Sequence, residues 1–237
     1  MPSPSIRPLE LPVDPAATVW SLPRTELADA LDHRPLLVLM HGYGSHERDL
    51  AALAGHLDRG SSTTSPVVAS LRAPLPAGPG YAWFPITDPT RAGHPDLDLA
   101  NAAAAGVMRW LEEVQALART PGPVGLLGFS QGGAMVTHLL RHHPEQFACG
   151  VVLSGFTVPG LVGGDQALAE ISPPVYWGRG LADPLIGAEA NERTEQFLSR
   201  HTTLTVSTFA GLGHGVAEEE IEEVAAFLAS HLTDQSR

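Results

Sequence analysis

The sequence predicts an α/β fold built on a doubly wound, mostly parallel sheet. Short apolar runs alternate with longer helical patterns through most of the chain. Several of these runs are apolar at every position, as expected for parallel strands that helices cover on both faces. Such alternation implies right-handed crossovers within one sheet. The reacting groups of such a sheet are expected beyond the carboxyl ends of its strands.

The predicted elements follow from these patterns in chain order. An edge strand is predicted at residues 18–22, followed by strands at 36–40, 66–71, 124–129, 150–153, 175–177 and 204–209. Helices are predicted at 47–57, 97–117, 131–142, 188–200 and 217–232, and loops at 60–65 and 73–80. The length of 237 residues suits one domain spanning 16–237. The proline-rich arm at 1–15 is expected to be poorly ordered.

A serine stands in a glycine-flanked turn directly after an apolar run. The stretch Gly128-Phe129-Ser130-Gln131-Gly132 is typical of a strand, a sharp turn and a helix. Such a turn lifts the serine hydroxyl above the sheet, where it can attack a carbonyl carbon. Glycine on both sides lets the strand and helix backbones approach closely. Ser130 is therefore the candidate nucleophile.

A serine hydroxyl is a weak nucleophile at neutral pH and needs a base. Of eleven histidines, only His214 lies in a glycine-rich turn between the last predicted strand and the last helix. His138, His142 and His143 lie in or at the end of the helix after the serine, and we expect them to be solvated. His214 is the candidate base.

The imidazole in turn needs a carboxylate that fixes its tautomer. Asp183 follows the strand at 175–177, between the serine and histidine strands. Asp165 is the main alternative, although it is expected in a loop well before the next strand. The chain order Ser130, Asp183, His214 is the order that this kind of fold requires.

An oxyanion hole needs two backbone N–H groups that face the developing negative charge. Gln131 follows the nucleophile at a helix N-terminus, where free N–H groups point outward. Tyr43, in the turn His41-Gly42-Tyr43-Gly44-Ser45 after the strand at 36–40, is the candidate for the second donor. The alternative is a plain glycine turn with a solvated His41.

These residues belong to longer motifs that resemble a known family. The motifs are His41-Gly42-Tyr43-Gly44, Arg72-Ala73-Pro74, Tyr81-Ala82-Trp83-Phe84, Gly128-Phe129-Ser130-Gln131-Gly132-Gly133-Ala134-Met135, Asp183-Pro184 and Gly213-His214. From about residue 36 to 232 the chain resembles the serine carboxylesterase/phospholipase family of α/β-hydrolases, which includes the acyl-protein thioesterases. The resemblance implies a triad of Ser130, Asp183 and His214, oxyanion donors at Tyr43 and Gln131, and no metal or organic cofactor.

The predicted connection between the strands at 150–153 and 175–177 is too short for a helical cap domain, so we expect an open, shallow cleft. Its candidate substrate-binding residues share an apolar side chain, and ordinary core packing is the alternative for each. They are Trp83, Phe84, Phe156, Val158, Leu161 and Leu185. An apolar cleft with few charges suits neutral acyl esters of short or medium chain length.

Composition excludes several other functions. The formal net charge is −12, and all 14 basic residues are arginines without a basic stripe, which argues against nucleic acid as a partner. An acidic surface also disfavours stable association with anionic membranes. The N-terminal residues lack the apolar core of a signal peptide, so a cytoplasmic enzyme is expected. The single cysteine, Cys149, lies in an apolar run and is expected to be a buried structural thiol.

The expected partner is thus a small-molecule ester, and the sequence leaves three alternatives open. The same triad could serve an acyl-thioesterase or a lysophospholipase. A ligand-binding relative without catalysis would be a function of a different class. A homodimer is also left open, because nothing in the sequence determines the oligomeric state.

Overall fold

The computed structural model of the chain describes residues 11–57, 65–86 and 95–232. Its strands are β1 Val19–Trp20, β2 Leu36–Met40, β3 Val67–Leu71, β4 Leu75–Ala77, β5 Gly80–Ala82, β6 Val124–Phe129, β7 Cys149–Leu153, β8 Pro174–Gly180 and β9 Thr203–Phe209. Its helices are α1 Leu27–Leu31, α2 Glu47–Ala51, α3 Ala54–Leu57, α4 Leu97–Gln115, α5 Gln131–His142, α6 Asp165–Ile171, α7 Ala188–His201 and α8 Glu218–His231.

Seven strands form one sheet in the order β1-β3-β2-β6-β7-β8-β9. Only β1 runs antiparallel to its neighbour, and the other adjacent pairs are parallel. The register pairs Met40 with Gly128 and Phe129 with Leu153, so β2, β6 and β7 end at the same edge. The predicted doubly wound, mostly parallel sheet is confirmed, and the loops that follow its strands meet at one edge.

Helices cover both faces of the sheet, because the strand side chains alternate between two apolar clusters. Leu36, Val38 and Met40 of β2 face the cluster formed with α1, α4, α5, α6 and α7. Leu37 and Leu39 face the cluster formed with α2, α3 and α8. This double burial explains why β2 is apolar at every position.

Cys149 lies at the start of β7 inside the second cluster. The side chain is free and buried, and burial raises the pKa of its thiol to about 12. A thiol with so high a pKa is inert as a nucleophile at neutral pH. The prediction of a buried structural thiol is confirmed.

Two predicted elements differ in the structure. The loop predicted at 73–80 contains β4 and part of β5, which pair as an antiparallel hairpin, because strands of three residues are too short to show an alternating pattern. The helix predicted at 47–57 is divided into α2 and α3. Between them the Leu53 N–H bonds to the Leu50 carbonyl three residues back, which tightens the chain into a turn.

Residues 11–15 of the N-terminal arm, which the sequence predicts to be poorly ordered, pack against α4 in the structure. The Leu11 N–H donates to the Ala102 carbonyl of α4 at 3.0 Å, and Val13 is buried in the first cluster. The Asp14 side chain caps a short 3₁₀ turn at Pro15–Ala17. Burial of one apolar side chain and pairing of the backbone hold this segment on α4. Residues 1–10 and most of the loop predicted at 60–65 lie outside the described residues.

The chain between β7 and β8 contains only the seven-residue helix α6, which packs against α5 and α7. In this connection, as predicted, there is no helical cap domain. Among the described helices, none combines the length and the apolar character that a membrane span requires.

Candidate active site

Ser130 occupies the turn between β6 and α5 in a strained conformation, with φ 54° and ψ −114°. Such a backbone costs about 1–3 kcal/mol and persists only where its surroundings enforce it. The Ser130 N–H donates to the Leu153 carbonyl at 2.8 Å. A Cβ added to Gly128 would lie only 2.1 Å from the Gly132 carbonyl oxygen. The motif glycines therefore permit the turn that exposes the hydroxyl, as the sequence predicts.

His214 lies between the serine and an aspartate. Its Nε2 is 2.8 Å from Ser130 Oγ, and its Nδ1 is 2.7 Å from Asp183 Oδ2. The other oxygen of Asp183 accepts the backbone N–H groups of Leu185 and Ile186 at 2.8 and 3.2 Å. When Nδ1–H donates to the carboxylate, the Nε2 lone pair faces the serine hydroxyl. The structure thus brings the three predicted catalytic residues together.

Asp165, the alternative acid, begins α6 and does not lie in a loop. Its carboxylate binds Arg141 through two contacts, Nε–Oδ1 at 2.7 Å and Nη2–Oδ2 at 2.8 Å. The Val162 N–H also donates to Oδ2. Asp165 is therefore engaged in a partly buried ion pair, whereas Asp183 contacts the histidine.

The histidine turn is tied to its neighbours by contacts that the sequence does not reveal. The Ala182 N–H donates to the Leu212 carbonyl at 3.0 Å, which links the acid turn to the histidine turn. Ser154 Oγ donates to the Gly215 carbonyl at 3.0 Å. The ring of Phe129 lies 5.0 Å from the His214 ring. These contacts limit the directions in which the imidazole can point.

Glu220 lies in the first turn of α8, six residues after the candidate base, and is fully buried. Its Oε2 accepts the Ala217 N–H at 3.2 Å, so the carboxyl group caps the helix that follows the histidine turn. Burial raises the pKa of this group to about 7. The cluster of glutamates in the sequence indicates helix-dipole carboxylates but does not distinguish this one as buried.

The two residues that the sequence predicts as oxyanion donors, Tyr43 and Gln131, line the same cleft as Ser130. Gln131 is the first residue of α5, so no carbonyl of the helix accepts its N–H. The Tyr43 N–H has no acceptor among the described residues. The Gln131 side chain is buried and bonds to both Trp83 N–H and the Phe84 carbonyl, at 2.8 and 2.7 Å. These two hydrogen bonds fix the start of α5 beside the serine.

The β4–β5 hairpin holds the loop that carries Tyr43. The Gly44 N–H donates to the Tyr81 carbonyl at 2.9 Å, and the Tyr81 N–H donates to the Ser45 carbonyl at 2.8 Å. His41 is fully buried, so the alternative of a solvated histidine is wrong. Its Nε2 accepts the Ala73 N–H at 3.2 Å, and burial lowers its pKa. His41 is a neutral structural group of this loop.

A partly buried ion pair supports the same loop. Arg72 Nε donates to Glu47 Oε2 at 2.8 Å, and Arg72 Nη2 donates to Oε1 at 2.5 Å. The guanidinium also lies 4.7 Å from the centre of the Tyr81 ring. The hydrogen bonds from Arg72 hold the pKa of Glu47 at about 2. The stabilisation that Glu47 contributes is therefore complete above its unfolded pKa of 4.5 and is lost as the pH falls through about 2.

We expect Glu47→Gln to lower both stability and activity. The amide cannot balance the Arg72 charge, and we expect the free energy of unfolding to fall by about 2 kcal/mol. Loosening of the loop is expected to lower kcat about tenfold, since small displacements of positioned donors are costly. Urea unfolding and initial rates on p-nitrophenyl butyrate measure the two effects. Glu113→Gln, on the exposed face of α4, is the matched control. Equal losses of stability and of kcat in the two variants would contradict the proposed support of the loop by the Arg72–Glu47 ion pair.

A cleft of about 330 Å³ opens beside the serine and the histidine. Of the six predicted substrate-binding residues, Phe156 and Leu185 line it, and the other four do not. Trp83, Phe84 and Val158 are buried in the first core cluster. Leu161 is 93% exposed, outside the cleft. Apolar character alone did not distinguish cleft from core, because the direction of each side chain decides between them.

The cleft also contains residues that were not predicted to bind substrate. Its apolar wall includes Ile86, Phe129 and Ile186, and its polar rim includes Ser45 and Asp49. Ser45 Oγ donates to Asp49 Oδ2 at 2.6 Å. Within residues 11–57, 65–86 and 95–232, Asp49 is the only carboxylate in the lining. Ile86 and Ile186 follow the Trp-Phe and Asp-Pro motifs within three residues, and this proximity is the signal that could have indicated them.

The fold and this arrangement of side chains define the class of protein, an α/β-hydrolase with a serine, a histidine and an aspartate at the strand ends. The family model for phospholipases and carboxylesterases matches residues 27–232. The chain therefore belongs to the phospholipase/carboxylesterase family, a family of carboxylic ester hydrolases, as its motifs predict.

Individual relatives are distant. A probable carboxylesterase of rice (Oryza sativa subsp. japonica) is 28% identical over 73% of this chain, and the match spans 64% of that protein's length. Acyl-protein thioesterase 1 of Saccharomyces cerevisiae is 23% identical over 64% of this chain and 69% of its own length. The crystal structure of esterase PE8 has a TM-score of 0.73 at 27% identity, covering 93% of this chain and 100% of that one.

Proposed function

We propose that the chain is a serine carboxylesterase that hydrolyses short- to medium-chain carboxylic esters through an acyl-enzyme intermediate. The observation that carries the proposal is the contact of His214 with both Asp183 and Ser130 beside a mostly apolar cleft. Membership of a carboxylic ester hydrolase family supports the same chemistry.

In the proposed reaction His214 Nε2 takes the hydroxyl proton of Ser130 as Oγ attacks the ester carbonyl. The N–H groups of Tyr43 and Gln131 hold the oxyanion, and each such donor typically contributes about 2.7–4 kcal/mol to the transition state. The imidazolium, stabilised by Asp183, then protonates the leaving alkoxide. Water that the same imidazole activates attacks the acyl-enzyme and releases the acid, which regenerates the serine.

The size and lining of the cleft support the substrate class. A volume of about 330 Å³ lies at the lower end of ligand pockets, which range over about 300–1,000 Å³. Phe156 and Leu185 offer apolar surface to an acyl or alkyl chain, and among the described residues no arginine belongs to the lining. Asp49 places one negative charge at the rim. Neutral esters fit this environment better than esters that carry a carboxylate.

We expect Asp49→Asn to relax the discrimination against anionic esters. The ratio of kcat/KM for p-nitrophenyl hemisuccinate to that for p-nitrophenyl butyrate should rise about two- to fivefold, because an exposed charge contributes up to about 1 kcal/mol. Added NaCl should reduce the difference between the variant and the wild type. Glu113→Gln removes the same charge from the far end of α4 and should leave the ratio unchanged. An unaltered ratio in Asp49→Asn would contradict a role for this charge.

A panel of p-nitrophenyl esters from acetate to palmitate, matched alkyl thioesters and a lysophospholipid tests the proposed function. We expect the highest kcat/KM on an ester with a short or medium acyl chain. The yeast relative's name suggests thioester substrates as the second candidate, on the same residues. Faster turnover of the thioester than of its matched oxygen ester would favour that candidate. Hydrolysis of none of these compounds would favour a non-catalytic relative.

A further inference from the structure

Two histidines and an asparagine converge between α4 and α5, and none of them lines the cleft. His138 and His142 lie one turn apart on α5, and Asn101 lies on α4. The Nε2 atoms of His138 and His142 are each 2.9 Å from Asn101 Oδ1 and 3.3 Å from one another. His138 is fully buried, so the expectation that it is solvated is wrong. Packing of α4 on α5 covers it.

Hydrogen bonding leaves this triangle crowded. If Asn101 Oδ1 accepts from both rings, the two Nε2–H groups converge on one oxygen, and their hydrogens lie about 2.2 Å apart. If the amide is rotated so that Nδ2 donates to both rings, its N–H bonds diverge by about 120°, but the two imidazole nitrogens subtend only about 69° at the amide atom. In either orientation His138 Nδ1 has no partner among the described residues.

We propose that His138 Nε2, His142 Nε2 and Asn101 Oδ1 form a binding site for one divalent transition-metal ion of the zinc, nickel and copper group. For an ion at about 2.1 Å from all three atoms, the ligand–metal–ligand angle would be about 104° between the two imidazole nitrogens. It would be about 87° between each imidazole nitrogen and the amide oxygen. Both angles are compatible with tetrahedral or octahedral coordination. Imidazole nitrogens are ligands that these ions prefer.

Two charged groups near the site form an ion pair with each other. The nearby cation Arg141 is paired with Asp165, which reduces its repulsion of a metal ion. His142 and Asn101 are partly exposed, so the site lies near the protein surface.

A metal ion at this place would tie α4 to α5, whose first residue follows Ser130. Because the three ligands come together only in the folded chain, binding stabilises the fold. The ion would lie outside the cleft and would take no part in ester hydrolysis. This site is independent of the proposed esterase function.

Calorimetric titration of chelator-treated protein with ZnCl₂, and separately with NiCl₂, at pH 7 tests the proposal. We expect saturable binding of one ion per chain and a rise in Tm with ZnCl₂ concentration. His142→Gln should weaken binding at least about tenfold, since it removes one of three ligands. Asn101→Asp should strengthen binding about tenfold, because a carboxylate oxygen replaces a neutral amide oxygen.

His143→Gln is the matched control, because it removes the adjacent histidine of the same helix end without touching the three ligands. It should leave the affinity for Zn²⁺ unchanged. Copper(II) bound to the wild type should show an electron paramagnetic resonance spectrum split by two nitrogens. The proposal would be overturned by no saturable binding, by an equal loss of affinity in His143→Gln and His142→Gln, or by an Asn101→Asp variant that binds no more tightly than the wild type.

Discussion

Replacement of Ser130 by alanine is expected to lower kcat by about 10⁶-fold, the loss measured when the nucleophile of another serine hydrolase was removed. The alanine has no oxygen to form the acyl-enzyme, and His214 loses the group that its Nε2 contacts at 2.8 Å. Residual turnover would come from the oxyanion donors and from substrate binding alone. The measurement is the initial rate on p-nitrophenyl butyrate, with the circular dichroism spectrum and Tm as checks on folding.

Ser199→Ala provides the control for this variant. Ser199 is exposed on α7, and its only hydrogen-bond partner in the part of the chain that the structure describes is the Gln196 carbonyl of its own helix. It should retain the wild-type kcat. A Ser130→Ala variant with more than about a hundredth of the wild-type kcat would show that another group performs the attack. Removal of an activated nucleophile lowers kcat by far more than that.

Asp183→Asn is expected to lower kcat by about 10⁴-fold. The amide can donate to Nδ1, which favours the tautomer with its proton on Nε2, and that tautomer cannot accept the serine proton. The imidazolium of the transition state would also lose its adjacent negative charge. KM for p-nitrophenyl butyrate should change little, because Asp183 does not line the cleft. A pH-rate profile recorded alongside kcat distinguishes this loss from general unfolding.

Asp165→Asn separates the two candidate acids. The change breaks a bidentate contact with Arg141, so we expect reduced stability with kcat close to the wild-type value for the fraction that remains folded. If Asp165→Asn instead caused the larger loss of kcat, the assignment of the acid to Asp183 would be wrong.

The sequence predicts the sheet and the three candidate catalytic residues because their signals are local. Ser130, Asp183 and His214 each follow a strand, and glycines lie two residues on either side of the serine and directly beside the histidine. The parallel register then brings the ends of β6, β8 and β9 to one edge. Little information beyond strand order is needed for this step.

The side-chain contacts that hold the site in place cannot be predicted in this way, because the two residues of each contact are far apart in the chain. Arg72 meets Glu47 across 25 residues, and the Gln131 side chain reaches Trp83 across 48 residues. Each contact depends on the direction of two side chains, which no local pattern specifies. For the same reason Leu161 was predicted to face the substrate and Ile86 was not.

Covalent labelling of Ser130 tests the central claim most directly. The purified protein is incubated with a fluorophosphonate, digested and analysed by mass spectrometry, in parallel with Ser130→Ala. We expect one phosphonyl adduct, on the peptide that contains Ser130, together with complete loss of p-nitrophenyl butyrate hydrolysis and no adduct in the variant. An unlabelled Ser130 in protein that still hydrolyses the ester would contradict the claim.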